Sequence, residues 1–202
     1  MRKLTIPQNI YQTMLAHARQ EYQREACGLL RGRGGQVKEF LPAQNVAANP
    51  LTDYQVDSAT LLQALEWEDT GDELIAIFHS HPHSPPYPSA TDAAQAFYPD
   101  SVYLILSLQK REEPQMAGFF LRPGPNIPQG TGEELRRELN FIQARPGLFS
   151  AYLPYPPPNS PQLSIPNSQQ VAFYLIIEEN DNNAWNMKSI GIWPVKLSIT
   201  KP

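Results

Sequence analysis

The sequence predicts an α/β sandwich in which a mixed β-sheet lies between helices. Three patterns support this fold class. Residues 7–23 carry apolar side chains at helical spacing, and residues 26–43 contain two strand-like runs around a glycine turn. Residues 74–78 and 102–108 are continuously apolar over strand lengths, which is typical of strands buried on both faces of a sheet. Helical and strand patterns alternate along the chain, as layered α/β folds require.

Each predicted element has a local signal. Pro7 suits the first turn of a helix, in which Ile10 and Met14 share one face. Asp57 or Ser58 is the candidate N-cap of the second helix. The predicted strands are residues 3–6, 26–31, 36–43, 54–56, 74–78, 102–108, 115–121, 171–177 and 190–199, and the predicted helices are residues 7–23, 58–67, 89–97 and 133–143.

The second half of the chain differs in composition from the first. Ten of the 21 prolines lie between Pro123 and Pro166. We predict extended, polyproline-like backbone for residues 154–158 and a polar turn at 180–183. The sequence therefore predicts a core at residues 1–122, a Pro-rich insertion with one short helix at 123–168, and a strand pair at 169–202 that completes or extends the core sheet.

Composition excludes several classes of function. The chain has 202 residues, enough for one domain with an insertion, and a net charge of −4 with interspersed signs, which argues against nucleic acid as a partner. No apolar run approaches the ~18 residues of a membrane span, and the N-terminus lacks a signal-peptide pattern. A single cysteine, Cys27, cannot form an intrachain disulfide. These features predict a cytoplasmic protein with no membrane contact.

The segment that begins at His79 predicts a zinc site. A catalytic zinc ion takes three protein ligands and keeps a fourth position for water. His79 and His81 leave the same predicted strand two residues apart, so both imidazoles can reach one metal ion. Asp92 follows near the start of the next helix as a candidate third ligand, and His83 is the alternative. Ser89 lies one helical turn before Asp92, where its hydroxyl could face the metal-bound water.

Each of these residues also has an ordinary structural interpretation. Ser89 and Asp92 together match a capping box, which stabilises a helix N-terminus without any metal. Hydrolysis further requires a general base, and Glu25 is the candidate because it precedes a short apolar strand. Composition alone does not distinguish Glu25 from Glu21, Glu66 or Glu73. Cys27 is interpreted as a small core residue, with a metal contact in a resting form as the alternative.

Taken together, these motifs resemble the JAMM/MPN+ metallopeptidases, in particular their short bacterial and archaeal members. The resemblance covers about residues 3–121. The motifs that carry it are Glu25-Ala-Cys-Gly-Leu-Leu, Asn45 with Pro50, Tyr54-Gln-Val-Asp57, His79-Ser-His81-Pro and Pro88-Ser89-x-x-Asp92. The resemblance implies a cytidine-deaminase-like α/β sandwich with helices on both sides of the mixed sheet.

The resemblance also implies a chemistry. The residues that match His79, His81 and Asp92 hold one Zn²⁺ with water as the fourth ligand, the residue that matches Glu25 is the general base, and the serine that matches Ser89 stabilises the oxyanion. Family members cleave amide or isopeptide bonds at the glycine-ending C-terminal tail of ubiquitin-like proteins. Some bacterial members release cysteine from a sulfur-carrier protein of this β-grasp kind.

The sequence is also compatible with two rival hypotheses. The chain could be a non-catalytic MPN scaffold that binds a partner, although such scaffolds typically lack the metal residues. It could also be a zinc amidohydrolase that acts on small amides. The sequence predicts neither the physiological substrate nor the oligomeric state.

Overall fold

The computed structural model describes residues 3–124, 139–154, 172–179 and 185–201. The chain divides into two compact units, Met1–Tyr87 with Asp100–Phe119 and Val195–Pro202, and Pro88–Pro99 with Phe120–Pro194. The elements are β1 (Lys3–Pro7), α1 (Gln8–Gln20), β2 (Cys27–Arg33), β3 (Gln36–Ala43), α2 (Ser58–Leu65), β4 (Glu73–His81), α3 (Ala90–Ala94), β5 (Val102–Ser107), β6 (Gln115–Pro123), β7 (Ile142–Arg145), β8 (Leu148–Pro154), β9 (Ala172–Glu179) and β10 (Trp185–Thr200), with a short 3-10 helix at Glu68–Thr70.

The first unit contains a mixed sheet in which β1, β3, β2, β4, β5 and β6 are neighbours in that order. β2 forms antiparallel pairs with β3 and β4, whereas β4 and β5 run parallel. The hairpin of β2 and β3 turns through Gly34 and Gly35, whose φ angles of 57° and 81° favour glycine. The last residues of β10 pair in parallel with β1. The predicted mixed sheet with helices is confirmed.

The core of this unit lies along the apolar strands that the sequence predicts. Every residue of β5 is buried, as are the seven residues of β4 from Ile75 to His81. Helix α1 contributes Ile10, Met14, Leu15 and Ala18 as its buried face, which is the face that the spacing predicts. The end of β4, where His79 and His81 lie, is therefore buried together with the whole of β5.

Several predicted boundaries in this unit are wrong in detail. Helix α1 ends at Gln20, and Gln23 adopts a φ of 90° that an α-helix cannot contain. Residues 54–56 form only one isolated bridge, between Asn45 and Val56. β4 continues through His81 because its pairing with β5 extends to Ser107, so both histidines lie within the strand. Asp57 is confirmed as the N-cap of α2, since its side chain accepts from the Thr60 N–H.

The second unit contains antiparallel strands. β7 pairs with β8, β8 with β9, and β9 with the first half of β10. A small core forms from Ala151, Phe173 and Leu175. Helix α3, also in this unit, spans five residues rather than the predicted nine.

The predicted helix at 133–143 is wrong where the structure describes it. Ile142–Arg145 form strand β7, because Pro146 disfavours a helical conformation in the residue before it and Gly147, with a φ of 73°, completes a hairpin turn. Residues 133–138 of that helix, the polyproline segment beyond Pro154 and the turn at 180–183 lie outside the described residues.

The two compact units group residues differently from the three predicted segments, whose boundaries stay a prediction. Residues 88–99 belong with the second unit, and residues 195–202 belong with the first. Among the described residues, no helix is both long and apolar enough to span a membrane.

Candidate metal centre and catalytic site

His79 and His81 lie at the C-terminal end of strand β4, which is in the middle of the sheet. The strand is paired on both sides, so that His79 lies opposite Cys27 of β2 and opposite Ile105 of β5. Residues two apart in a strand point to the same face, which brings the two imidazoles together. Both are buried, with exposed fractions of 0% and 4%. The backbone that carries these side chains is thus held by ladder hydrogen bonds on both edges.

The two imidazoles converge through their Nε2 atoms, which lie 3.1 Å apart. The Nδ1 atom of His81 lies 2.9 Å from the carbonyl oxygen of Pro85. A carbonyl only accepts, so Nδ1 carries a proton, and in the neutral imidazole this leaves the lone pair on Nε2. The ring of Tyr54 stacks on His79 at 4.3 Å between centroids and an angle of 14°, which orients the second imidazole.

This geometry fits one zinc ion. Two nitrogens that each lie about 2.0–2.1 Å from a tetrahedral zinc ion are separated by about 3.3 Å. The observed 3.1 Å is close to that value. A histidine ligand normally donates its other ring N–H to a carbonyl or carboxylate, as His81 does to Pro85.

Asp92 and Ser89 form the capping box of α3. The Ser89 hydroxyl oxygen accepts from the Asp92 N–H at 3.1 Å, and Asp92 Oδ2 accepts from the Ser89 N–H at 2.7 Å. The structural interpretation of this pair is therefore confirmed. The capping box does not exclude a role for Asp92 as a metal ligand, because the box uses one oxygen of its carboxylate. It does not exclude a role for Ser89 as a hydrogen-bond donor either, because its hydroxyl only accepts in the box. Ligand atoms of His79, His81 and Asp92 all lie within 4.8 Å of one another, so the three residues could hold a metal ion.

Glu25 lies two residues before β2, the strand that pairs with the histidine-bearing strand β4. Ala26 and Ser80 bond twice, since Ser80 N–H donates to the Ala26 carbonyl and the Ala26 N–H donates to Ser80 Oγ, both at 2.9 Å. These two bonds extend the contact between the two chain segments by one residue beyond the pair Cys27–His79, and Glu25 is the next residue along the chain. Glu25 is 6% exposed, and glutamate residues are rarely buried to this extent unless they are paired.

Asn45 holds the backbone of Glu25. Its Nδ2 group donates to the carbonyls of Glu25 and Asp53 at 2.8 and 2.9 Å. Its Oδ1 atom accepts from the N–H groups of Ala47 and Gln55 at 3.0 and 3.1 Å. The N–H of Glu25 in turn donates to the Pro50 carbonyl at 2.7 Å. All four hydrogen-bonding positions of the Asn45 amide are used, and the loop they order leads to Tyr54.

The roles of Asn45 and Tyr54 were not predicted from the sequence, although both residues lie in motifs that support the family resemblance. No periodicity marks an asparagine that bonds the main chain of a residue 20 positions away. The stacking of Tyr54 on His79 likewise depends on tertiary structure.

The remaining predicted residues take structural positions. Cys27 is fully buried, and burial, with nearby carboxylates, raises the pKa of its thiol to about 12. The thiol is therefore protonated at neutral pH, which fits the interpretation as a core residue. His83 is exposed and packs edge-on against Tyr22, 5.8 Å between ring centroids.

A mixed sheet that presents two converging imidazoles beside buried carboxylates defines a candidate mononuclear metal site of the hydrolase type. A family profile described as "Prokaryotic homologs of the JAB domain" matches residues 7–120, more than half of the chain. The chain belongs to this family.

The chain is similar to proteins with named activities. It is 38% identical to the Desampylase of Haloferax volcanii over 112 residues, which cover 52% of this chain and 81% of that protein. It is 32% identical to the CysO-cysteine peptidase of Mycobacterium tuberculosis over 124 residues, which cover 60% and 84%. The solution structure of a protein from Desulfitobacterium hafniense matches with a TM-score of 0.52 and 37% identity, over 57% of this chain and 82% of that one.

Proposed function

We propose that this protein is a zinc-dependent peptidase that hydrolyses the amide or isopeptide bond at the C-terminus of a ubiquitin-like or sulfur-carrier protein. The observation that carries the proposal is the 3.1 Å approach of the Nε2 atoms of His79 and His81, with the buried Glu25 two residues before the neighbouring strand β2. Membership of the JAB family and the similarity to a desampylase and to a CysO-cysteine peptidase support the substrate class.

His79, His81 and Asp92 would hold one Zn²⁺ per chain, with water in the fourth position. Zinc in such a site lowers the pKa of its bound water to about 7 and polarises the carbonyl that is attacked. Two imidazoles and one carboxylate form a common ligand set for catalytic zinc, which supports this assignment.

The residues of the chain supply the proton transfers. Glu25 accepts a proton from the attacking water and returns it to the leaving amine, as a general base and then a general acid. Its burial close to the histidine-bearing strand favours this role, because a general base must lie within reach of the water that it activates. The Ser89 hydroxyl donates to the oxygen on which negative charge develops.

The sharpest test of these roles is Glu25→Gln, which keeps the shape of the side chain and removes the base. We expect it to bind zinc at the wild-type stoichiometry and to lose at least ~100-fold in kcat. The matched control is Glu21→Gln, because Glu21 is a nearby glutamate that pairs with Arg24 at 3.0 Å. Wild-type activity in Glu25→Gln would refute the assignment of the base.

A substrate panel separates the proposal from its rivals. The panel contains β-grasp proteins extended at a C-terminal glycine by cysteine or by an isopeptide-linked lysine, together with small peptide amides. We expect cleavage of the protein conjugates. Cleavage of only the small amides would favour an amidohydrolase, and zinc below stoichiometry after mild purification would favour a scaffold.

A further inference from the structure

The helix that carries Asp92 belongs to a unit formed mainly by residues beyond the family match. The match ends at residue 120, whereas the second unit joins Pro88–Pro99 to Phe120–Pro194. Strands β9 and β10 of this unit supply polar side chains to both ends of α3.

The contact before the helix comes from β9. The Tyr174 hydroxyl donates to the carbonyl of Pro88 at 3.0 Å. Pro88 directly precedes Ser89, the N-cap residue, so this bond fixes the chain where α3 begins. Burial raises the pKa of Tyr174 to about 12, which keeps the hydroxyl protonated.

The contact at the end of the helix comes from β10. The Lys188 ammonium donates to the carbonyl of Ala94, the last residue of α3, at 2.6 Å. The last carbonyls of a helix have no partner within the helix, and a cation there also complements the helix dipole.

The two side chains share one face of the strand pair. Tyr174 lies opposite Ile190, and Lys188 lies opposite Ile176, which places all four residues on the same side of β9 and β10. Ile176 is fully buried, as is Ala93 of α3. Apolar residues on this face of β9 and on α3 are therefore excluded from solvent.

Helix α3 depends on such support. It contains five residues, far below the roughly 12–15 at which an isolated helix becomes marginally stable in water. Its capping box satisfies the first turn only. The capping box orients the Asp92 carboxylate against the Ser89 N–H, whereas the position of the short helix depends on the contacts that hold it from outside.

We infer that the strand pair β9 and β10 is a positioning element for the metal centre, in which Tyr174 and Lys188 hold both ends of α3 and thereby fix the Asp92 carboxylate and the Ser89 hydroxyl. The inference rests on the proposed function, in which Asp92 is the third zinc ligand. Tyr174 and Lys188 are positioning residues, because each acts through the main chain of the segment that carries the ligand.

The test uses the full-length protein with the double substitution Tyr174→Phe and Lys188→Met. The first readout is amide hydrogen exchange of residues 89–96 in the metal-free protein, which we expect to be at least ~10-fold faster than in the wild type. The second readout is the zinc dissociation constant from competition with a chromophoric chelator. We expect affinity to fall roughly 10- to 100-fold, the range typical of lost outer contacts at a zinc site.

Three matched controls isolate the two hydrogen bonds. Lys188→Arg keeps a cationic donor and should restore most of the affinity lost in Lys188→Met. Glu178→Gln removes the carboxylate 4.0 Å from Lys188 and leaves the bond to Ala94 in place. Tyr152→Phe removes a neighbouring hydroxyl, keeps the ring that packs edge-on against Tyr174 and leaves the bond to Pro88 in place.

Unchanged zinc affinity in the double variant would overturn the inference, whether or not hydrogen exchange accelerates. If the double variant does not fold, the single substitutions Tyr174→Phe and Lys188→Met decide the question, each with an expected loss of about 3- to 10-fold in affinity. Neither readout requires a substrate. A wild-type protein that binds zinc but cleaves no conjugate would refute the proposed function, while hydrogen exchange and zinc affinity would still test whether Tyr174 and Lys188 position α3.

Discussion

Asn45→Ala should destabilise the protein far more than a surface substitution in the same loop. Asn45 makes four hydrogen bonds of 2.8 to 3.1 Å to main-chain groups. Each hydrogen bond contributes about 1 kcal/mol net, and the side chain is half-buried, so water replaces some of the lost partners. We therefore expect the free energy of unfolding to fall by about 2–4 kcal/mol, close to the largest effects of single substitutions.

Urea denaturation measures this change as a lower midpoint at an unchanged m-value. The matched control is Asn49→Ala, because Asn49 is exposed and makes a 2.9 Å bond to Thr52 in the same loop. We expect this control to lie within about 0.5 kcal/mol of the wild type. The midpoint of Asn45→Asp should lie between those of Asn45→Ala and Asn49→Ala, because aspartate keeps the acceptor oxygen and loses both N–H donors. Equal midpoints for Asn45→Ala and Asn49→Ala would refute the argument that the Asn45 amide orders the loop beside Glu25.

Three further predictions concern the first unit. Cys27 should resist alkylation by iodoacetamide at pH 8 in the native protein and react fully in guanidinium chloride, because burial raises the pKa of its thiol to about 12; rapid native labelling would contradict this. Hydrogen bonds from Lys38 and Arg31 lower the pKa of Asp72 below its ordinary value of 3.8, so its stabilising contribution is present above that pH and is lost as pH falls through the folded-state pKa. Asp72→Asn should therefore lower the thermal midpoint at pH 7 and have progressively less effect below pH 3.8, and a pH-independent difference would count against this linkage. Gly28→Ala should cost about 1–3 kcal/mol in urea denaturation, because a Cβ there would lie 2.6 Å from the Leu41 carbonyl oxygen, and a neutral result would show that the strands can separate.

The sequence predicts the parts of this protein whose signals are local. Apolar runs of strand length identify β4 and β5 because both faces of these strands are buried, and the glycine pair at 34–35 identifies the hairpin of β2 and β3. The spacing of His79 and His81 indicates a shared ligand because strand geometry fixes where alternate side chains point. These inferences depend only on residues close together in the chain.

What the sequence does not predict depends on distant partners. Residues 54–56 have a strand-like pattern, but they lack a partner strand and form one bridge. The helical pattern at 142–143 gives way to a hairpin, since the turn at Pro146 and Gly147 and the pairing with β8 outweigh local propensity. The contacts of Tyr174 and Lys188 with α3 join residues 86 and 94 positions apart, a separation at which no sequence pattern carries information.

The hydrogen bond from His81 to Pro85 has an evolutionary consequence. The acceptor is a main-chain carbonyl, which every amino acid provides, so the imidazole tautomer is determined by the path of the backbone after β4 and not by the identity of residue 85. Substitutions at that position that preserve the path should leave the Nε2 lone pair where it is, whereas an insertion or deletion between His81 and Ser89 should displace it. Selection on this tautomer should therefore act on the length of the segment between His81 and Ser89 and not on the identity of residue 85.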